Sequence, residues 1–213
     1  MKSLGNTVIF GDSYSTYEGY IPEVYAIYYT KSQRSDSAYL DSVQKTWWKM
    51  LLDETDSNLV LNNSWSGSTV CYTGYLGVDK NQSFVKRARE CLIDGVCNSK
   101  KVDTVLIFGG TNDNWANSPL GSEKYENITE KDLESFFPAL CYLITYIKNS
   151  SKDIRIINIT NTELREEVTS GMASICEHLG VENVVLHGIE KDYGHPNEKG
   201  MEQIKNQILE KCL

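Results

Sequence analysis

Residues 7–13 read Thr7-Val8-Ile9-Phe10-Gly11-Asp12-Ser13: four apolar or β-branched residues, a glycine, then an aspartate and a serine. The apolar run is short and lacks polar alternation, which predicts a strand buried on both faces of a parallel sheet. Working outward, runs of the same kind recur at 59–62, 104–108, 154–159 and 183–186. Helical spacing fills the gaps. Val43, Trp47, Met50 and Leu51 share one face, with Asp41 and Gln44 spaced like a capping box. A second pattern starts at Thr129 and Asp132 and runs through Leu133, Phe137, Leu140, Ile144 and Ile147. A third puts Val168, Met172, Ile175 and Leu179 on one stripe, and a last begins at Pro196 and carries Met201, Ile204 and Ile208. Strands alternating with helices predict an α/β fold: a doubly wound sheet with right-handed crossovers and ligands bound outside the carboxyl ends of its strands.

Composition bounds the partners. The 213 residues suit one domain, 1–213, with no repeat, low-complexity tract or linker to divide it. A net charge of −8 argues against nucleic acid or an anionic membrane as partner, because both repel an acidic surface. No apolar run reaches 18 residues, so no membrane span is expected. Met1 to Asn6 lead directly into the first strand with no signal-peptide core, which predicts a cytoplasmic chain. Cys71, Cys91, Cys97, Cys141, Cys176 and Cys212 form no C-x-x-C pair and none has zinc-finger spacing to a histidine. They read as reduced structural thiols, and neither a metal nor a cofactor is expected.

Four motifs fall where the fold predicts a site. Gly11-Asp12-Ser13 follows the first strand, where a serine can point its hydroxyl into the crevice or simply cap a helix. Asn62-Asn63-Ser64-Trp65-Ser66-Gly67 follows the second, and its glycine lets backbone N–H groups approach an oxyanion. Gly109-Gly110-Thr111-Asn112-Asp113 ends the third, with an asparagine able to donate to that oxyanion. Asp192-Tyr193-Gly194-His195-Pro196 precedes the last helix, and an aspartate three residues before a histidine can orient the imidazole through Nδ1–H. Each alone also reads as a plain turn. Together, in this order and at these places, they are hard to assign to chance. His178 and His187, in a helix pattern and at a strand end, read as structural.

The four motifs resemble the blocks of the SGNH (GDSL-like) hydrolase family, which contribute a serine, a glycine, an asparagine and a histidine. The resemblance runs from residue 11 to residue 195, although the first block reads Gly-Asp-Ser-Tyr without the leucine of the name-giving motif. It implies a flavodoxin-like three-layer α/β/α sandwich with a five-stranded parallel sheet ordered 2-1-3-4-5. It also implies Ser13, Asp192 and His195 as catalytic triad, and an oxyanion hole from the Ser13 and Gly67 backbone N–H groups and the Asn112 side chain. No G-x-S-x-G elbow occurs, which disfavours the α/β-hydrolase alternative.

The expected reaction is two-step acyl transfer, with activity falling below about pH 6 as an ordinary imidazole protonates. For the substrate, seven tyrosines lie between Tyr14 and Tyr39, and Tyr14, Trp65, Trp115 and Tyr193 sit close in sequence to the candidate groups. Aromatic rings with polar tips suit sugars, which predicts a small-molecule or carbohydrate ester carrying a short acyl group such as acetyl. The alternatives are a lysophospholipase or thioesterase acting on longer chains, and a non-catalytic carbohydrate-binding module on the same fold. Oligomeric state is left open by the sequence.

Overall fold

The computed structural model describes residues 3–213. Five parallel strands form one sheet: β1 Asn6–Gly11, β2 Asn58–Ser64, β3 Thr104–Phe108, β4 Arg155–Thr160 and β5 Glu182–Val185, in the order β2-β1-β3-β4-β5. The expected order 2-1-3-4-5 is the observed one. Each predicted strand is present to within two residues.

Successive strand residues serve opposite faces, as the two-residue period demands. Val8, Phe10, Val105 and Ile107 pack on one side beneath helices α2 (Phe84–Cys91), α4 (Phe136–Ser150) and α5 (Glu166–Leu179). Ile9, Leu106, Phe108 and Ile159 pack on the other beneath α1 (Trp47–Glu54) and α6 (Glu198–Cys212). The result is the expected α/β/α sandwich, with a short helix α3 (Thr111–Trp115) at the carboxyl end of β3. No helix among the described residues is long and apolar enough to cross a membrane.

Three helix starts differ from the sequence reading, each for a local reason. The first helix begins at Trp47, not near Asp41, because Val43–Lys45 forms a 3-10 turn capped by Ser42 and Thr46 then caps the helix itself. Asp41 pairs instead with Lys45. Asp132 accepts from the backbone and hydroxyl of Thr129, as the spacing suggested, but this closes a 3-10 turn and the helix starts at Phe136. Pro196 ends a two-residue ladder, and Asn197 caps the final helix by accepting from Gly200 N–H. The helix Phe84–Cys91 has no counterpart in the sequence reading. All six cysteines are free thiols.

Candidate active site

Ser13 sits at the carboxyl end of β1, in a 3-10 turn (Ser13–Ser15) whose N-cap is Asp12: Oδ1 accepts from Tyr14 N–H at 3.0 Å. The preceding glycine is required by packing. A β-carbon on Gly11 would lie 2.5 Å from Ser64 Oγ and 2.6 Å from Ser15 Cβ, so no larger residue lets β1, β2 and the turn close together. Ser13 itself is 3% exposed.

The last motif is a two-residue hairpin. Lys191 pairs with Pro196 and Asp192 with His195, and the turn residues Tyr193 and Gly194 both adopt positive φ (50° and 75°). This is the right-twisted turn that tight hairpins favour. It delivers His195 Nε2 to 2.9 Å from Ser13 Oγ, across 182 positions of sequence. Nδ1 lies 3.2 Å from the Tyr193 carbonyl, which can only accept. The hydrogen-bond network therefore assigns the proton to Nδ1 and leaves the Nε2 lone pair facing the hydroxyl.

Asp192, expected at Nδ1, is placed away from it. Its side chain is exposed, and it makes no hydrogen bond to His195 or to any other described residue. The hairpin folds so that the turn's own carbonyl takes the Nδ1 position. The expected pH threshold shifts as well. Burial pushes the imidazole down to about 4, with the positive charges of Lys191 and Arg34 acting in the same direction. A neutral imidazole with a free Nε2 beside a serine hydroxyl is a base poised to accept that proton.

The loop of the second motif is fastened to this turn from several sides. Trp65 N–H donates to Gly11 O at 3.1 Å, and Asn112 Nδ2 donates to Ser68 O at 2.9 Å. Asp113 accepts from Val70 N–H and Cys71 N–H. Among the described residues, neither Ser13 N–H nor Gly67 N–H has an acceptor, and one Asn112 amide hydrogen is likewise unspent. Three unspent donors on adjoining loops are chemically able to receive an oxyanion. Gly67 has φ +83°, and a β-carbon there would meet Val78 Cγ2 at 3.0 Å.

Sequence reasoning missed Arg87. This guanidinium is buried under the site and stacks on Phe84, 4.6 Å from the ring centre. It donates to the carbonyls of Gly11, Asn63 and Gln82, to Asn63 Oδ1 and to Ser68 Oγ. One side chain thus ties the ends of β1 and β2 to the Gly67 loop. Two buried carboxyls lie nearby: burial pushes Asp12 up to about 7 and Asp113 up to about 6.

The aromatic candidates divide. Tyr14 is buried, edge-on to Phe108, and its hydroxyl donates to Gly194 O at 2.5 Å; it supports the hairpin and does not face a substrate. Trp65 is half-buried, its ring 4.3 Å from that of Tyr25. Trp115 is 39% exposed with its ring 6.0 Å from the imidazole, and Tyr193 is exposed with its hydroxyl on Ser35 O. Within the tyrosine-rich segment, Tyr17 and Tyr29 are core, and Tyr28 lies flat on His195. His178 stacks on Tyr125, and His187 N–H donates to Gln207 Oε1 at the end of β5; neither touches the site.

Comparison with known proteins places this geometry in a family. The model of the GDSL-like lipase/acylhydrolase family matches residues 6–212. A GDSL-like lipase from Bacteroides ovatus is 40% identical, with 97% of each chain covered and a TM-score of 0.87. One from Bacteroides uniformis is 42% identical over 98% of this chain and 95% of its own, also at 0.87. A family two carbohydrate esterase from Clostridium thermocellum, solved with cellohexaose, shares the fold at 14% identity, with a TM-score of 0.61 over 98% of this chain and 63% of its own. No curated protein sequence matches.

Proposed function

Because the chain belongs to the GDSL-like lipase/acylhydrolase family and is an ester hydrolase, we propose that it removes short acyl groups, acetyl foremost, from carbohydrates through an acyl-enzyme on Ser13. We read residues 1–213 as one domain carrying this activity. The observation that carries the reading is the 2.9 Å contact between Ser13 Oγ and His195 Nε2.

In the proposed cycle, Ser13 Oγ attacks the ester carbonyl while its proton passes to Nε2. The C=O π pair moves onto the oxygen, which the Ser13 and Gly67 N–H groups and the Asn112 amide receive. Donors preset at that place act in the transition state more than in the ground state, and one is typically worth about 10²–10³ in turnover. Collapse of the adduct breaks the bond to the sugar oxygen, which takes the proton from Nε2. Water then attacks the acyl-enzyme by the same proton path, releasing the carboxylic acid and restoring Ser13. The imidazole is oriented through Nδ1 by the Tyr193 carbonyl, so the working unit is a Ser13–His195 dyad and Asp192 stands outside it.

Two features support a sugar ester as substrate. The half-exposed rings of Trp65, Tyr25 and Trp115 flank the loop and offer faces for a pyranose. The likeness in fold to a carbohydrate esterase holding cellohexaose agrees with this choice.

The test is hydrolysis of p-nitrophenyl acetate, butyrate and decanoate, then of acetylated sugars, by wild type and Ser13→Ala. Acetate turnover that disappears in the variant is expected. A preference for decanoate would move the substrate to the long-chain class, and turnover surviving in Ser13→Ala would refute the nucleophile.

A further inference from the structure

We propose that Tyr28 is a positioning residue that does for the His195 imidazolium what a carboxylate does in a Ser-His-Asp triad. This rests on the Ser13–His195 reading above. The Tyr28 and imidazole rings are stacked nearly parallel, 3.6 Å between centres at an interplanar angle of 9°. An aromatic face carries partial negative charge, and a cation stacked on it is attracted to that face. The imidazole is neutral at rest and becomes cationic only while it holds the Ser13 proton. The attraction is therefore realised in the transition state and not before it, the condition for an interaction to raise kcat.

The surroundings leave this work to the ring. Among the described residues no carboxylate hydrogen-bonds to His195. The charged groups that bear on the imidazole, Lys191 and Arg34, are both cations and oppose its protonation. Lys191 is itself bound to Thr162 and Glu163. Arg34 lies 5.4 Å from the centre of the Tyr28 ring. Of the other rings near His195, Tyr14 is tilted by 55° at 5.1 Å and Trp115 by 64° at 6.0 Å, and neither presents its face squarely.

Tyr28 is also held as a positioning group must be. Its N–H donates to Thr16 Oγ1, which donates in turn to Ser13 O, so the ring is referenced to the nucleophile's own turn. Its hydroxyl accepts from Ala38 N–H at 3.1 Å, and its carbonyl accepts from Arg34 at 3.0 Å. Its edge rests on buried Tyr29, whose hydroxyl donates to Pro196 O. The tyrosine-rich segment therefore supplies part of the proton-transfer apparatus, beyond its packing role.

The experiment is a ring series at residue 28, read as kcat and KM on p-nitrophenyl acetate, with the melting temperature of each variant. Tyr28→Leu keeps apolar bulk without a π face and is expected to lose about 10- to 30-fold in kcat, with KM within about twofold. Tyr28→Phe should keep at least a third of kcat although it loses the Ala38 bond, and Tyr28→Trp should match or exceed wild type. The order Trp, Tyr, Phe, then Leu far behind follows the π face; a packing role would place Leu beside Phe. Asp192→Asn should cost less in kcat than Tyr28→Leu. A Leu variant as fast as wild type, or a Phe variant as slow as Leu, overturns the proposal, and the Phe and Trp variants decide it alone if Leu fails to fold. Turnover surviving in Ser13→Ala would instead remove the dyad beneath it, a distinct failure.

Discussion

An imidazole pushed down to about 4 by burial should leave this enzyme active in acid where an ordinary histidine-dependent serine esterase is silent. The perturbation is pH alone, and the observable is kcat/KM, whose acid limb reports the base of the free enzyme. The base form is the neutral one, so activity is lost as pH falls through the folded pKa. At pH 5 an imidazole titrating near 6.5 is only about 3% neutral, whereas one titrating near 4 is roughly 90% neutral. The two cases differ about 30-fold at that single pH. The surroundings set the sign: burial and the Lys191 and Arg34 charges oppose protonation of the ring, and the Tyr193 carbonyl acts the other way. The assay is p-nitrophenyl acetate hydrolysis from pH 3.5 to 8, with each sample returned to pH 7 to show that the enzyme survived the acid. Half-maximal kcat/KM near pH 4 to 4.5 is expected. A midpoint between 6 and 7 would refute the reasoning, because the ring would then be hydrated or paired with a carboxylate in solution.

Two further perturbations test the framework under the site. Arg87→Met removes the buried donor of the Asn63 and Gln82 carbonyls and Ser68 Oγ and leaves Gly11 O to Trp65 N–H alone, at a cost of roughly 3–5 kcal/mol; thermal melting should fall by about 10 °C, and a change below 2 °C would show that the clamp is dispensable. Asp12, raised by burial to about 7, keeps its proton when folded but loses it near 3.8 when unfolded, so its contribution to stability falls as pH rises through that window and is least above 7. Asp12→Asn should therefore raise the melting temperature at pH 8 by about 5–10 °C and leave it nearly unchanged at pH 4, and an equal shift at both pH values would contradict this.

The parts of the fold that were legible are those where one local rule dominates. A strand buried on both faces is apolar at every position, so Thr104–Phe108 was delimited to the residue and the other four to within two. Helix starts were less legible because two of them follow a 3-10 turn: the Thr129–Asp132 bond is real but closes the turn, and the Asp41–Gln44 spacing falls on a turn capped by Ser42. The helix Phe84–Cys91 escaped because its buried face includes Arg87, whose charge hides the apolar stripe. At the site, residues next to strand ends were found, since chain connectivity alone places Ser13 and Asn112 at the sheet's mouth. Tyr28 and Arg87 were not, because their positions depend on the path of a long loop and on packing from a distant helix. For Asp192, spacing in sequence brings it near His195 but says nothing about how the hairpin turns its side chains.

The exposed position of Asp192 links the remaining features of the site. A carboxylate at Nδ1 would raise the imidazole pKa and stabilise the imidazolium together, because one negative charge does both. A backbone carbonyl orients the ring equally well but carries only a partial charge. The pKa then stays lower, and in the proposal above the transient cation is stabilised by the face of Tyr28, which lifts the pKa only by its own smaller amount. A weak base is a poorer proton acceptor, so such a site depends more on its oxyanion donors and on the rigidity with which they are held. That dependence accounts for the number of fastenings on the Gly67 loop, from Gly11, Asn112, Asp113 and Arg87 at once. The acid-shifted pH profile and the sensitivity to the ring at residue 28 are thus two consequences of one cause. Installing a carboxylate within reach of Nδ1 should move both together: the acid limb toward 6, and the penalty of Tyr28→Leu toward zero.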